Sequence, residues 1–456
     1  MADLHPKERL SRSARFLLAE NGFATALGAT LGGTFLTGLV LELGGGPFEV
    51  GLAMAAGSIG SIGMLATNSM LNHTGGSRRK LALIDLGAVR VLRIIISLLP
   101  VLLLWGASRH GLLWPMLVCV MAASFFGNSA EITRRSWISD LVEPTERGRF
   151  FARRIMIGST VNVIIMLVGA WFIDIFEKRG LTLEGLQWVV GFGAAAGLVS
   201  WLLIYMTYEP PMAMPKRQAG VIETLLIPWQ RPRFRKLLIF TLCWSLAIGF
   251  GANFFNFYMI DRLKMSYFWV ALVNTAGELA SVVCAPFFGA WADRVGTRKV
   301  LLVATIFKAI FPFFWIFVTP ATFWLLIPIN LLCAFNSAMG ICWLRLSLNV
   351  APGKNQAAYL AMFMVAMNAA NAVGAVVGGS FVDGMDKLGW QHLGSIGGVV
   401  INSVNILFLT STVLRFASIP FMGMIHEPKG TLVSMTKIAA LATEDAEENK
   451  STSRVS

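Results

Sequence analysis

The chain has 456 residues, of which 55% are hydrophobic and 14% charged, with a formal net charge of +13 and a mean hydropathy of +0.66. That much apolar surface excludes a soluble globular fold and places the chain in lipid. The positive charge does not mark a nucleic-acid surface, because the basic residues are dispersed among short connections between apolar segments, the asymmetry that orients membrane proteins.

Residues 1–19 carry Lys7, Arg9, Arg12 and Arg15. The apolar run behind them is longer than a signal-peptide core and has no A-x-A site, so an uncleaved first helix starting in the cytoplasm is expected. With about 20 apolar residues needed per crossing, windows are expected at 20–43, 48–72, 81–105, 112–138, 154–176 and 186–206. The remaining windows are 236–260, 266–291, 300–318, 321–347, 357–382 and 394–424. Between the two sets, residues 207–235 hold Pro210, Pro211, Pro215, Pro228 and Pro232 among Lys216, Arg217, Arg231, Arg233 and Arg235, a composition that cannot span. The expected fold is an all-α membrane protein of twelve transmembrane helices, with six-helix bundles at 20–206 and 236–424. The tail 425–456, polar and acidic from Glu444 onward, is expected to be cytoplasmic and largely disordered. Arg78, Arg79, Lys80, Arg149, Arg153 and Arg154 fall on the same side as the 207–235 linker; Arg109, Lys178, Arg179, Arg262, Lys264 and Lys387 fall on the other. The excess on the first side predicts both termini on the cytoplasmic side of a cell (inner) membrane.

The two halves repeat. A shift of about 220 positions, the mark of a duplicated transporter, lays Gly76, Ser77, Arg78 and Arg79 on Gly296, Thr297, Arg298 and Lys299. The same shift lays Arg15, Phe35 and Val50 on Arg235, Phe255 and Val270. Collinear matches of this kind predict two bundles related by a pseudo-two-fold axis around one central path.

The turn after the eighth window reads Gly289, Asp293, Arg294, Gly296, Arg298, Lys299 in the pattern G-x-x-x-D-R-x-G-x-R-K, and through it the chain resembles the major facilitator superfamily over essentially its whole length. The first-half copy keeps Gly76, Arg78 and Arg79 but has His73 where the second has Asp293. Asp140 to Gly148, with Arg147 inside it, is similar to the acid-x6-Arg-Gly loop of many facilitators, sugar porters among them. The resemblance implies a cytoplasmic gate in which carboxylates and guanidiniums of neighbouring loops pair in one conformation and part in the other; a solvated basic loop is the alternative. The Gly-Pro motif of drug and proton antiporters is missing between Gly158 and Gly169, which argues against drug efflux.

An ionised side chain at mid-bilayer costs about 2.5 to 3.5 kcal/mol. Asp85, Arg90, Arg93, Glu131, Glu278, Lys308 and Arg415 are therefore expected to face inward as a buried charge network. Arg90 and Arg93 are expected to pair with Asp85 or Glu131, and Glu278 either neutralises Lys308 or Arg415 or carries protons. Cations outnumber carboxylates here, which favours an anionic solute. On the fourth helix Ser124, Asn128, Glu131 and Arg135 share one stripe at helical period, the expected cavity wall. The resemblance implies that the first, fourth, seventh and tenth helices line the path, which adds Thr30, Thr34, Thr37, Asn253, Asn256, Asn336 and Trp343. Asn274, Glu278 and Ser281 share a face of the eighth helix. A carboxyl in a low-dielectric bundle can load and release a proton as water access alternates, and Glu131 and Glu278 are the coupling candidates.

Gly57, Gly60 and Gly63, like Gly374, Gly378 and Gly379, have the small-residue spacing that brings helices close. His5, His73, His110, His392 and His426 are scattered, so no catalytic set, metal site or cofactor is expected, and the five cysteines are read as small buried hydrophobes. The expected function is that of a secondary active transporter, monomeric and proton-coupled, moving a small polar or anionic organic solute by alternating access. The alternatives are a transporter-fold receptor or assembly partner, and an uncoupled uniporter or efflux carrier.

Overall fold

The computed structural model describes residues 6–143, 146–210, 228–350, 356–391, 394–396 and 399–425. Most of the expected linker, the tail from residue 426, and His5, His392 and His426 lie outside the described residues.

Among the described residues, twelve helical spans follow one another. The first half comprises Pro6–Ala29 continued by Gly33–Glu42, Pro47–Ile59 continued by Ile62–His73, Arg78–Leu98 with a 3-10 extension, Arg109–Leu141, Arg147–Glu177 and Thr182–Tyr205. The second half comprises Pro232–Ala252 continued through a π turn to Arg262, then Tyr267–Val295, Thr297–Trp315, Phe323–Val350, Gln356–Lys387 and Ser403–Gly423. Among the described residues, eleven segments are long and apolar enough to cross a membrane. The ninth span, Thr297–Trp315, misses that standard because Arg298, Lys299 and Lys308 fall within its 19 residues.

Sequence sets the ends of these helices. Gly296, at φ 100°, closes the eighth span and opens the ninth in a single residue, a left-handed conformation that a side chain resists. Ser77 caps the third span by accepting from Lys80 N–H at 3.2 Å. The twelfth span does not begin at 394: its start is set by Asn402, whose side chain accepts from the N–H groups of Val404 and Asn405 at 3.0 and 3.1 Å, the capping expected of Asn. The residues ahead of it instead form an antiparallel ribbon, Gly394–Ile396 with Val399–Ile401. The first span breaks after Ala29 and the seventh after Ala252, positions that the internal repeat brings within a few residues of each other.

Packing distinguishes the two ends of the molecule. At the end carrying Glu42, Gly46 and Lys387, one apolar core crosses both halves, with Phe35, Leu39 and Val50 from the first and Phe254, Tyr267 and Phe408 from the second. At the opposite, basic end the cores are separate: Leu17, Trp137, Phe150 and Ile204 pack in the first half, Phe234, Leu301, Leu346 and Tyr359 in the second. The halves are thus joined at the far end and parted at the basic end.

The join is close. A Cβ on Gly51 would lie 2.4 Å from the Ala375 carbonyl oxygen, and one on Gly379 2.7 Å from that of Pro47. The glycines of the eleventh span divide their contacts: Gly374 and Gly378 meet the seventh span, Gly379 the second. Gly60 and Gly63 pack on Ser124 and Phe125 of the fourth span, whereas a Cβ on Gly57 would meet nothing within 4 Å among the described residues.

Candidate transport cavity

Between the parted halves lies a cavity of about 670 Å³ walled by the first, fourth, fifth and eighth spans, with Asn21, Glu131, Arg134, Arg135, Arg154, Asn162 and Glu278 on its surface. Its charges are compensated. Glu20, fully buried on the first span, accepts from Arg134 at 2.6 Å and from Ser200 Oγ at 3.0 Å. Arg90, buried on the third span, donates to Ser200 Oγ at 2.9 Å and to the Gly197 carbonyl at 3.0 Å. Glu131 binds both Arg134 and Arg135, the latter at 2.8 Å. Arg154 donates to Asn21 Oδ1 at 2.7 Å. A buried charge is tolerated when paired and hydrogen-bonded, and Glu20 with Arg134 meets that condition.

A second cavity of about 420 Å³ lies in the second half, with Asn274, Glu278, Ser281, Lys308, Asn336 and Arg415 on its walls. Phe255 lies tilted against Trp315, ring centroids 4.3 Å apart, and meets Phe311 edge-on at 5.2 Å, and these three rings line the cavity too. Glu278 faces both cavities and accepts from Asn162 Nδ2 at 2.8 Å, a bond between the halves.

The residues singled out from sequence are distributed as follows. Glu131 and Arg135 line the first cavity; Ser124 instead faces Gly60 of the second span, and Asn128 bonds back to the Ser124 carbonyl. The stripe is one face of the fourth helix, but the second span covers its outer part. Thr34 and Asn256 meet at the join, where Asn274 Nδ2 donates to both at 3.0 and 2.8 Å. Thr30 is turned onto Gly193 of the sixth span because the helix breaks beside it. Thr37 is buried and bonds to the Gly33 carbonyl, and Asn253 bonds to that of Gly249. Asn336 lines the second cavity; Trp343 packs edge-on against Phe363 at 6.1 Å.

The expected pairing within the charge network differs from the one observed. Arg90 joins Glu20 through Ser200 rather than pairing with Asp85 or Glu131, while Asp85 is buried beside Ser129. No ion pair within 4 Å joins Arg93 to Asp85 or Glu131, or Glu278 to Lys308 or Arg415, among the described residues. Glu20 lies at the edge of the first apolar window and Arg134 off the helical stripe that selects its neighbour Arg135, so sequence periodicity singles out neither. Nor does it single out Asp174 on the fifth span: its carboxylate accepts from the N–H groups of Tyr267 and Phe268 at 2.7 and 3.1 Å, capping the eighth span across the join.

Among the described residues, two ion pairs at the basic end each lie within one half. Arg78 binds Asp140 at 2.5 Å, and Asp293 binds Arg345 at 2.5 Å, so each pair ties a turn to the end of the fourth or tenth span. With His73 in place of an aspartate, the first half reverses the polarity of the contact. Glu209 adds to it, accepting from Ser77 Oγ at 2.8 Å and Arg79 N–H at 3.1 Å. Arg147 bonds to the Val142 carbonyl and Arg298 to that of Gly423. Arg294 and Lys299 are exposed, and a Cβ on Gly289 would meet nothing within 4 Å among the described residues.

Among the described residues, twelve helical spans, eleven of them long and apolar enough to cross a membrane, stand in two halves around a polar cleft, the architecture of a membrane transporter. The Major Facilitator Superfamily model matches residues 18–282 and 258–414, and the chain belongs to that family. It is similar in fold to the nucleoside transporter NupG, at 15% identity and a TM-score of 0.69 over 91% of this chain and 100% of that one. It is similar likewise to a D-xylose-proton symporter, at 14% and 0.68 over 92% and 99%. The inward-open xylose transporter XylE from E. coli is similar at 16% and 0.65, over 93% and 99%. No curated protein matches the sequence.

Proposed function

We propose that the protein is a secondary active transporter that moves a small polar or anionic organic solute by alternating access, coupled to protons, with both termini in the cytoplasm of a cell whose inner membrane it spans. The observation that carries this reading is the contrast between one shared core at the far end and two separate cores at the basic end, with a charged cavity between. Such a shape is one of the two states that rocking halves require. With the basic end in the cytoplasm it is the inward-open one.

Of the two coupling candidates, Glu278 suits the role better. Glu131 is held by two guanidiniums, which a proton would have to displace. Glu278 has one amide partner, contributed by the opposite half, so its hydrogen bonding changes whenever the halves move. Solutes that stabilise the purified protein against heat identify substrates, whose uptake into proteoliposomes is then measured with and without a pH gradient. Gradient-driven accumulation is expected, and Glu278→Gln should abolish accumulation while leaving exchange of solute across the membrane. Uptake indifferent to the gradient, in wild type and in Glu278→Gln alike, would reject coupling and leave a uniporter.

A further inference from the structure

Lys308 of the ninth span and Arg415 of the twelfth stand together on the wall of the second-half cavity. Lys308 is 9% exposed and Arg415 1%, and Arg415 Nη1 donates to the Lys308 carbonyl at 2.9 Å. Among the described residues Nε and Nη2 of Arg415 are buried without a partner, and Lys308 Nζ meets the Cys333 sulfur at 3.8 Å and the Phe311 ring at 4.3 Å. Among the described residues no carboxylate lies within ion-pair distance of either cation.

Arg134 in the first half shows a buried cation held by counter-charge, with both Glu20 and Glu131 on it. Two adjacent cations without a counter-charge repel each other and forfeit hydration, so the arrangement is unfavourable until an anion joins it. Glu278, the carboxylate on the same wall, is engaged by Asn162. A guanidinium with free donors beside an ammonium is the pairing that oxyanions satisfy, the fork binding two oxygens and the ammonium adding charge.

We propose that Lys308 and Arg415 form an oxyanion subsite that receives a carboxylate or phosphate group of the transported solute, whose apolar part rests on Phe311 and Trp315. The proposal rests on the carrier reading and specifies its substrate class. Cys333 lines the same cavity, and its alkylation reports occupancy without any transport.

The full chain in nanodiscs is treated with N-ethylmaleimide in phosphate, sulfate, acetate or succinate, with chloride at equal ionic strength as reference. Labelling of Cys333 is followed by mass spectrometry and the unfolding temperature is read in parallel. Saturable protection or stabilisation by at least one oxyanion and not by chloride is expected, with the half-effective concentration raised about tenfold or more in Lys308→Gln. Arg415→Lys, which keeps the charge and loses the fork, should shift it in the same direction and serves if Lys308→Gln does not fold. Preference for phosphate or for the carboxylates identifies the solute's group. Identical behaviour in all five salts, or protection unchanged by both substitutions, overturns the subsite. A protein that binds oxyanions here but accumulates no solute in proteoliposomes refutes the carrier reading alone; one that transports without any oxyanion effect refutes the subsite alone.

Discussion

Glu20 is the residue on which the first half's buried charge depends. It is fully buried, and both Arg134 and Ser200 donate to it, so removing its charge leaves Arg134 with Glu131 alone. Breaking a buried pair from one side costs about 3 to 5 kcal/mol. Glu20→Gln should therefore lower the unfolding temperature of the purified protein sharply, and Arg134→Met added to it should recover part of the loss. Equal stability of wild type and Glu20→Gln would show that the pair contributes nothing. The site was half legible at this scale. A charge inside an apolar run announces itself, as Glu131, Glu278, Lys308 and Arg415 did, and its inward direction follows from the bilayer. Which charge it meets does not follow, because partners come from helices far apart in sequence: Glu20 and Arg134 are 114 positions apart.

Two contacts between elements hold the far end shut. Ser266 precedes the eighth span without making a side-chain cap, and Asp174 from the other half supplies the missing acceptor. A helix cap is worth about 1 kcal/mol, and a carboxylate at a helix N-terminus gains from the dipole as well. Asp174→Ala should shift the population toward the far-open state about fivefold, read as faster labelling of a cysteine in place of Thr34, which is buried at the join against Asn274; unchanged labelling would remove the cap from the gate. The second contact is steric. Gly51→Val puts a side chain where the Ala375 carbonyl stands, and interiors at close packing do not absorb it. It should favour the same far-open state and slow transport severalfold, and a rate equal to wild type would argue that the second and eleventh spans need not meet. Helix count and the turns that punctuate the spans were written in local sequence, in hydropathy and in residues such as Gly296. The breaks beside Thr30 and after Ala252 were not, since they answer to packing between the halves at Gly33 and Asn256.

For the whole molecule, duplication was visible as matched residues, and with it the pair of bundles. The conformational state was not, because a sequence that serves the proposed alternating access must suit both states and so encodes neither alone. The unequal ends follow instead from three-dimensional contacts: one core at the far end, two at the basic end. Paired spin-label distances in a cysteine-free background test that rocking most directly, using exposed positions Arg109 with Lys387 at the far end and Lys80 with Arg294 at the basic end. In wild type the far pair should be close and the basic pair apart, and Gly51→Val should lengthen the first distance while shortening the second. Distances that stay fixed, or that lengthen together, would contradict alternating access by the two halves.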